Sequence, residues 1–350
     1  MRPNLHKPEQ ATPADLATCR QMIRTGSRSF YAASLLLPED MRGGAYALYA
    51  FCRLSDDTVD VDQSGAAGIA QLTARLDAIY AGAPANGAID RALFDTIDLY
   101  ALPRAPFDAL LEGMAWDAEG RGCETLSDLY DYAARVAGAV GAMMAVLMRT
   151  RAPAMVARAS DLGVAMQMTN VARDVGEDAR NGRLYLPRDW MREAGLDPDA
   201  WLARPEFNRA IAQVVERVLD HAEDLYRRAD IGIAALPPAY RPAIYAARLL
   251  YAEIGAQVAR RGHDSIASRA VVSTSRKLQL LCGALTRKWR APSREALGAP
   301  ALLQTQFLVD AIEAATATLD ERGSIRGLRH DVKWMVDLFA ALDERPRRVA

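Results

Sequence analysis

Two stretches of the sequence set a pair of aspartates four residues apart beside an arginine. One is Arg53-Leu54-Ser55-Asp56-Asp57-Thr58-Val59-Asp60; the other is Gln167-Met168-Thr169-Asn170-Val171-Ala172-Arg173-Asp174-Val175-Gly176-Glu177-Asp178. On an α-helix, which turns by about 100° per residue, Tyr49, Arg53, Asp56 and Asp60 fall within roughly a 60° arc, and Gln167, Asn170, Asp174 and Asp178 within roughly 80°. Each set is a single polar stripe. Ionised carboxylates in an apolar setting are costly unless charge partners neutralise them, and hard divalent cations with oxygen ligands are the natural partners. Two such stripes facing each other would clamp metal ions and a polyanion such as diphosphate.

At this aspartate content chance alone gives roughly two such i,i+4 pairs, so one match carries little. Asp220 and Asp224 form a third pair, but they sit among charges of both signs over residues 216–224 and read as a solvated helix face. The first two pairs differ in their surroundings. Residues 45–52 before one and 162–166 before the other are almost entirely apolar, so these carboxylates are expected to face an interior.

The elements that must position them read as helices. Apolar residues recur at helical spacing almost throughout, and alternating β-branched runs long enough for a sheet are missing, which predicts an all-α fold. Punctuation at Pro38, Gly82 to Gly87, Pro103 to Pro106, Asn181-Gly182, Pro237-Pro238, Pro292, Pro300 and Gly323 cuts the chain into about ten helices. With no Gly/Ser-rich linker and no fixed-period repeat, a single domain over 1–291 is expected, with 292–350 as an appended helical segment packed on it. The apolar run Val136 to Met148 falls short of the roughly 20 residues needed to span a bilayer and predicts a buried helix. Its Gly138, Gly141, Ala142 and Ala145 suit either close helix packing or space for a bulky apolar ligand. Directly after the second aspartate stretch, residues 180–187 predict a loop, either a lid over the site or an ordinary connection.

Composition sets the outer limits. The chain has 350 residues, 51% of them hydrophobic, and a formal net charge of −1, which suits a globular protein large enough for a deep cavity. The lack of a basic excess argues against nucleic acid as a partner, so anion recognition falls to local arginines: Arg28, Arg53, Arg173, Arg183 and Arg269. Cys19, Cys52, Cys123 and Cys282 show no Cys-x-x-Cys spacing and read as buried thiols in a reducing compartment. The first eight residues lack the apolar core of a secretion signal, and a cytoplasmic location is expected.

Taken together, these residues resemble the squalene/phytoene synthase family, most closely its bacterial phytoene-forming branch. The likeness runs from about Thr25 to Lys277 in five ordered elements. They are Ser27-Arg28-Ser29-Phe30-Tyr31; Tyr49-Ala50-Phe51-Cys52-Arg53 leading into the first aspartates; Tyr132 to Gly141; the second aspartate stretch; and Gly182-Arg183-Leu184-Tyr185-Leu186-Pro187. The resemblance implies the isoprenoid synthase fold, with a central cavity between the aspartate helices. It implies that Asp56, Asp60, Asp174 and Asp178 hold Mg²⁺, with Mn²⁺ as a substitute, bridging substrate diphosphates. Arg53 and Arg269 would bind diphosphate, Gln167 and Asn170 would line the same face, and Tyr132 and Tyr251 would sit near the reacting carbons or diphosphate. Ser29, Phe30, Tyr49, Arg173 and Arg183 complete the expected substrate-binding set, although Tyr251 also suits a plain core position.

The implied reaction is head-to-head condensation of two geranylgeranyl diphosphates through prephytoene diphosphate, with no NADPH. Breaking an allylic carbon–oxygen bond concentrates negative charge on the departing diphosphate, which cations stabilise, and leaves a carbocation that needs a dry pocket and tolerates aromatic faces. Squalene or dehydrosqualene synthesis from farnesyl diphosphate is the nearest alternative, and a non-catalytic prenyl-diphosphate-binding member the more distant one. Substrates this oily also suggest peripheral contact with the inner face of a membrane. Arg287, Lys288, Arg290 and Arg294 beside Leu285 and Trp289 could supply it, although a solvated helix end is the simpler reading.

Overall fold

The computed structural model describes residues 10–61 and 65–321, and among them the secondary structure is helical without a strand. Helix α1 (Pro13–Gly26) opens on a reciprocal cap: the Thr12 hydroxyl accepts from the Asp15 amide and the Asp15 carboxylate from the Thr12 amide. Ser27 then starts α2 (Arg28–Ser34) by accepting from the Phe30 amide. There follow α3 (Glu39–Val61), α4 (Ala66–Tyr80), α5 (Ala88–Tyr100) and α6 (Ala105–Ala118). Helix α7 (Leu126–Ala133) runs through a π-helical turn, Ala134–Gly138, into α8 (Ala139–Leu147). The long α9 (Pro153–Arg180) precedes two short helices, α10 (Arg188–Glu193) and α11 (Pro198–Ala203). Beyond them lie α12 (Arg209–Ala235), α13 (Arg241–Arg260), α14 (Thr274–Thr286), α15 (Arg294–Leu297) and, after a 3₁₀ turn, α16 (Gln306–Glu321).

These sixteen helices exceed the ten that periodicity suggests. Single capping residues account for much of the difference: Ser27, Asp197 and Ser293 each accept from nearby amides and restart the chain after a break too short to disturb the apolar period.

Helix α9 is the spine. On one side α3, α5, α6, α8 and α16 bury Leu48, Phe51, Leu93, Phe107, Met143 and Leu308. On the other, α12, α13 and the chain around Leu186 and Met191 bury Val164, Met168, Val215 and Leu225. The small residues expected near Gly141 serve both purposes that the sequence left open. A Cβ at Gly141 would lie 2.2 Å from the Ala159 oxygen, and one at Gly163 2.2 Å from the Ala137 oxygen, so α9 touches α8 and the π turn before it backbone to backbone. Gly141, Gly163 and Ala145 also border a cavity.

Arg135, a charge inside an apolar run, is a tie between elements. It pairs with Glu112 and Asp131 and lies over the rings of Trp116 and Phe307, joining the π turn to α6 and α16. Asp220 and Asp224 are exposed, as a solvated face requires. All four cysteines are free thiols; contrary to the expectation that they are buried, Cys282 is exposed on α14. No helix among the described residues is long and apolar enough to cross a membrane.

Candidate active site

A cavity of about 490 Å³ opens between α2, α3, α8, α9, α12 and α13. Its walls are mostly apolar: Leu37, Leu48, Val140, Met144, Met148, Ile233 and Leu236 are among them. Its polar groups include Arg53 and Asp56 from α3, Gln167, Asn170 and Arg173 from α9, and Arg269 from the segment after α13. The two aspartate helices therefore contribute to one cavity rather than standing back to back.

Helix α3 holds its stripe in place by burying Leu48, Phe51 and Val59 on its other faces. Arg53 pairs with Asp57, one turn on, at 2.6 Å, and both side chains are about half exposed (47% and 51%). Such a pair is weakly held in water and exchanges readily for another anion. Asp56 borders the cavity but is exposed, so it stands at the mouth and not in the interior that its apolar flanks suggested. The Asp60 side chain lies outside the described residues.

On α9 the charges interlock. Arg173 donates to Asp174 through Nε at 2.7 Å and Nη2 at 2.5 Å, and Arg269 grips the same carboxylate through Nε at 2.7 Å and Nη2 at 3.1 Å. Charge-assisted bonds of this bidentate kind fix both guanidiniums in position. Arg269 reaches Asp174 because Gly176 lets the following segment lie against α9. Its amide donates to the Ser265 oxygen at 3.1 Å, and a Cβ there would come within 2.8 Å of the same oxygen. One turn on, Asp178 is pushed up to about 7 by burial and by the charge of Asp174, with Arg183 opposing the shift. Asn170 donates to Gln167 at 3.2 Å while its own Oδ1 is buried without a partner.

Aromatic rings mark the passage from charged rim to apolar chamber. Phe30 packs on Tyr251 with ring centres 4.9 Å apart and on Tyr49 at 6.4 Å, and all three line the cavity. Gly26 makes room for Tyr49, since a Cβ there would sit 2.4 Å from the tyrosine oxygen. Ser27, which caps α2, and Ser34 at its end border the cavity, whereas Ser29 is not part of its wall.

Tyr132 is elsewhere. It is not part of the cavity wall; its hydroxyl donates to Asp117 at 3.0 Å, and its ring stacks on Tyr185, whose hydroxyl donates to the other Asp117 oxygen at 2.6 Å. Burial, reinforced by Asp117, holds the Tyr132 phenol well above its usual range, so it stays protonated. Asp117 also helps raise Asp178, which sets this trio beside the second aspartate stretch. Asp117 and the role of Tyr185 were missed from sequence. Asp117 lies in no recognisable pattern, and only the fold brings α6 against the chain after α9. In that chain Leu184, Tyr185 and Leu186 are buried, and the Arg188 and Asp189 amides donate to the Cys123 and Glu124 oxygens, while residues 180–182 are exposed. Arg183 lies outside the cavity wall and near Asp178.

Among the described residues no three metal-ligating side chains form a ready cage. The donor chemistry nevertheless suits a hard cation. Asp174, Glu177 and Asp117 concentrate negative charge around Asp178, and Asn170 Oδ1 is an unpaired buried oxygen.

Residues 23–277 match the family model described as squalene/phytoene synthase. Over 350 residues the chain is 46% identical to a phytoene synthase of Cereibacter sphaeroides, covering 96% of both. Over 271 residues it is 54% identical to a phytoene synthase of Rhodobacter capsulatus, covering 77% of this chain and 80% of that one. Among solved structures it is similar to a dehydrosqualene synthase in complex with ligand, with a TM-score of 0.72 and 33% identity over 78% of this chain and 96% of the other. The helices thus adopt the all-α terpenoid synthase fold. By sequence match and by architecture, this chain belongs to the squalene/phytoene synthase family.

Proposed function

We propose that this chain is a phytoene synthase of carotenoid biosynthesis: a prenyltransferase that joins two geranylgeranyl diphosphates head to head, through prephytoene diphosphate, into 15-cis-phytoene. One observation carries the reading at the level of geometry. An apolar chamber of about 490 Å³ has Arg53, Asp56, Arg173 and Arg269 among its wall residues, so an oily chain and its anionic head find matching surroundings in one site. The identities of 46% and 54% to named phytoene synthases support the C20 substrate over farnesyl diphosphate.

In this reading the guanidiniums of Arg173 and Arg269, now paired with the single carboxylate of Asp174, are the donors for substrate diphosphate, with Arg53 released from Asp57 as a third. Mg²⁺ held by Asp56, Asp60, Asp174 and Asp178 would supply the positive charge that stabilises the departing diphosphate. Phe30, Tyr49 and Tyr251 present aromatic faces where the allylic cation forms, and the aliphatic walls keep water from it. Each condensation loses two diphosphates and two protons with no net reduction, so the reaction needs no NADPH.

Incubating the protein with Mg²⁺ and either geranylgeranyl or farnesyl diphosphate, with and without NADPH, tests the reading. The expected product is a C40 hydrocarbon of phytoene mass from geranylgeranyl diphosphate, indifferent to NADPH. Squalene or dehydrosqualene as the main product overturns it.

A further inference from the structure

The wall of the cavity formed by Ala33 of α2, Ile233 of α12, and Ile244 and Ala247 of α13 has a second, outer use. The same four residues belong to the apolar cluster that seats α14 and the segment after it, through Leu281, Ala284 and Trp289. Helix α13, which carries Ile244 and Ala247, therefore lies between α14 and the chamber. The helix is more apolar than the protein covers. Leu280, Leu281, Cys282, Ala284, Leu285 and Leu278 occupy roughly 200° of its circumference, yet of these Ala284 alone is buried. Leu278 and Leu285, each 58% exposed, share with Cys282 an arc of about 60°, and Val271, just before the helix, is 76% exposed.

Charge singles out the same surface. Between Asp264 and Glu295 there is no acidic residue, while Arg269, Arg276, Lys277, Arg287, Lys288, Arg290 and Arg294 are all basic, in a chain whose formal net charge is −1. Arg269 and Arg276 are committed to Asp174 and Glu253, and Arg287 to the Tyr245 hydroxyl. Among the described residues, Lys277, Lys288, Arg290 and Arg294 form no ion pair, and Lys288, Arg290 and Arg294 are exposed. Exposed aliphatic side chains flanked by uncommitted cations complement an anionic bilayer, in which the first enter the acyl boundary and the second meet the headgroups.

We infer that α14 and residues 287–294 dock on an anionic membrane surface and that the wall beneath α14 is where the apolar product leaves for the bilayer. The second part rests on the function proposed above, because only a product without a charged head gains by passing through an apolar wall instead of the charged mouth.

Flotation of the full chain with vesicles of phosphatidylcholine, with and without phosphatidylglycerol, reads the docking without any substrate. Wild type should float with the anionic vesicles, less so as salt rises. Leu278→Asp/Leu285→Asp and Lys288→Glu/Arg290→Glu should each weaken binding by about tenfold or more, with unchanged far-UV circular dichroism. Either double variant floating like wild type would overturn the docking surface, and having two covers the case in which one fails to fold. For the exit, single-turnover rates of wild type and variants should agree, while anionic vesicles accelerate multiple turnover several-fold in wild type alone. Equal acceleration in a variant that no longer floats, or none in wild type, would overturn the exit. A product other than phytoene would change the function assigned above and leave the flotation result standing.

Discussion

Asp174 receives two guanidiniums, each through two N–H groups, and so sets the position of Arg173 and Arg269 as well as offering its own charge. Asp174→Asn should lower turnover at least about 100-fold, because it removes preorganised charge from the departing group, while the helical circular dichroism stays as it is. Turnover within tenfold of wild type would remove the clamp. Asp178 carries a different signature. Its pKa is raised from 3.8 to about 7, so between those values the folded chain holds a proton that the unfolded chain has lost. The associated stability is fully present below about pH 4 and disappears as pH rises through about 7. Without metal, Asp178→Asn should therefore be more stable than wild type at pH 8, by roughly 1–2 kcal/mol once partial exposure is allowed for, with no such gain at pH 4. Thermal melts at the two pH values check this, and an equal difference at both would contradict it. That Asp174 and Asp178 share a helix face was readable from their spacing. That one is gripped by arginines and the other buried enough to hold its proton was not, since Arg269 comes from a distant part of the chain and burial is set by the packing of distant elements.

At the scale of elements, close approach decides what the site residues can reach. Gly176→Ala would place a Cβ 2.8 Å from both the Ser265 oxygen and the Ile266 Cα, and the segment carrying Arg269 would have to move off α9. Overpacking of this kind costs about 1–3 kcal/mol. The kinetic expectation is a rise in KM for the prenyl diphosphate of about tenfold, larger than any fall in kcat, because a binding donor is displaced while the chamber is left intact. A fall in kcat with KM unchanged would show that Arg269 acts otherwise. The helices themselves were legible because their apolar faces repeat at 3.6 residues, as Leu48, Phe51 and Val59 do on α3. The buried course of residues 184–187 was not, because Gly182 and Pro187 mark a loop whether it covers a site or packs beneath one.

The whole molecule is tied together around Arg158, 1% exposed, which donates to Asp161 at 2.7 Å, to the Ala299 oxygen at 2.8 Å and to the Pro300 oxygen at 3.0 Å. Arg228 reaches Asp161 at 3.0 Å and the Pro300 oxygen at 2.6 Å, so α9, α12 and the approach to α16 share one buried carboxylate. Arg158→Met should destabilise the fold by about 3 kcal/mol, because it leaves buried Asp161 with a single cation and takes the Arg158 donor from the Ala299 oxygen. Chemical denaturation measures that loss, and a change below about 0.5 kcal/mol would mean that Arg228 suffices alone. Taken by itself, the sequence determined the all-helical class, the two aspartate stripes, the need for an apolar chamber beside them and the family likeness, because periodicity and spacing are local properties of a chain. Tertiary structure alone decided that Tyr132 turns to Asp117 and not to the cavity, that Asp56 stands at the mouth, and that α14 keeps an uncovered apolar face. Those outcomes depend on which distant surfaces meet, and burial, ion pairing and proton affinity are all set by that meeting.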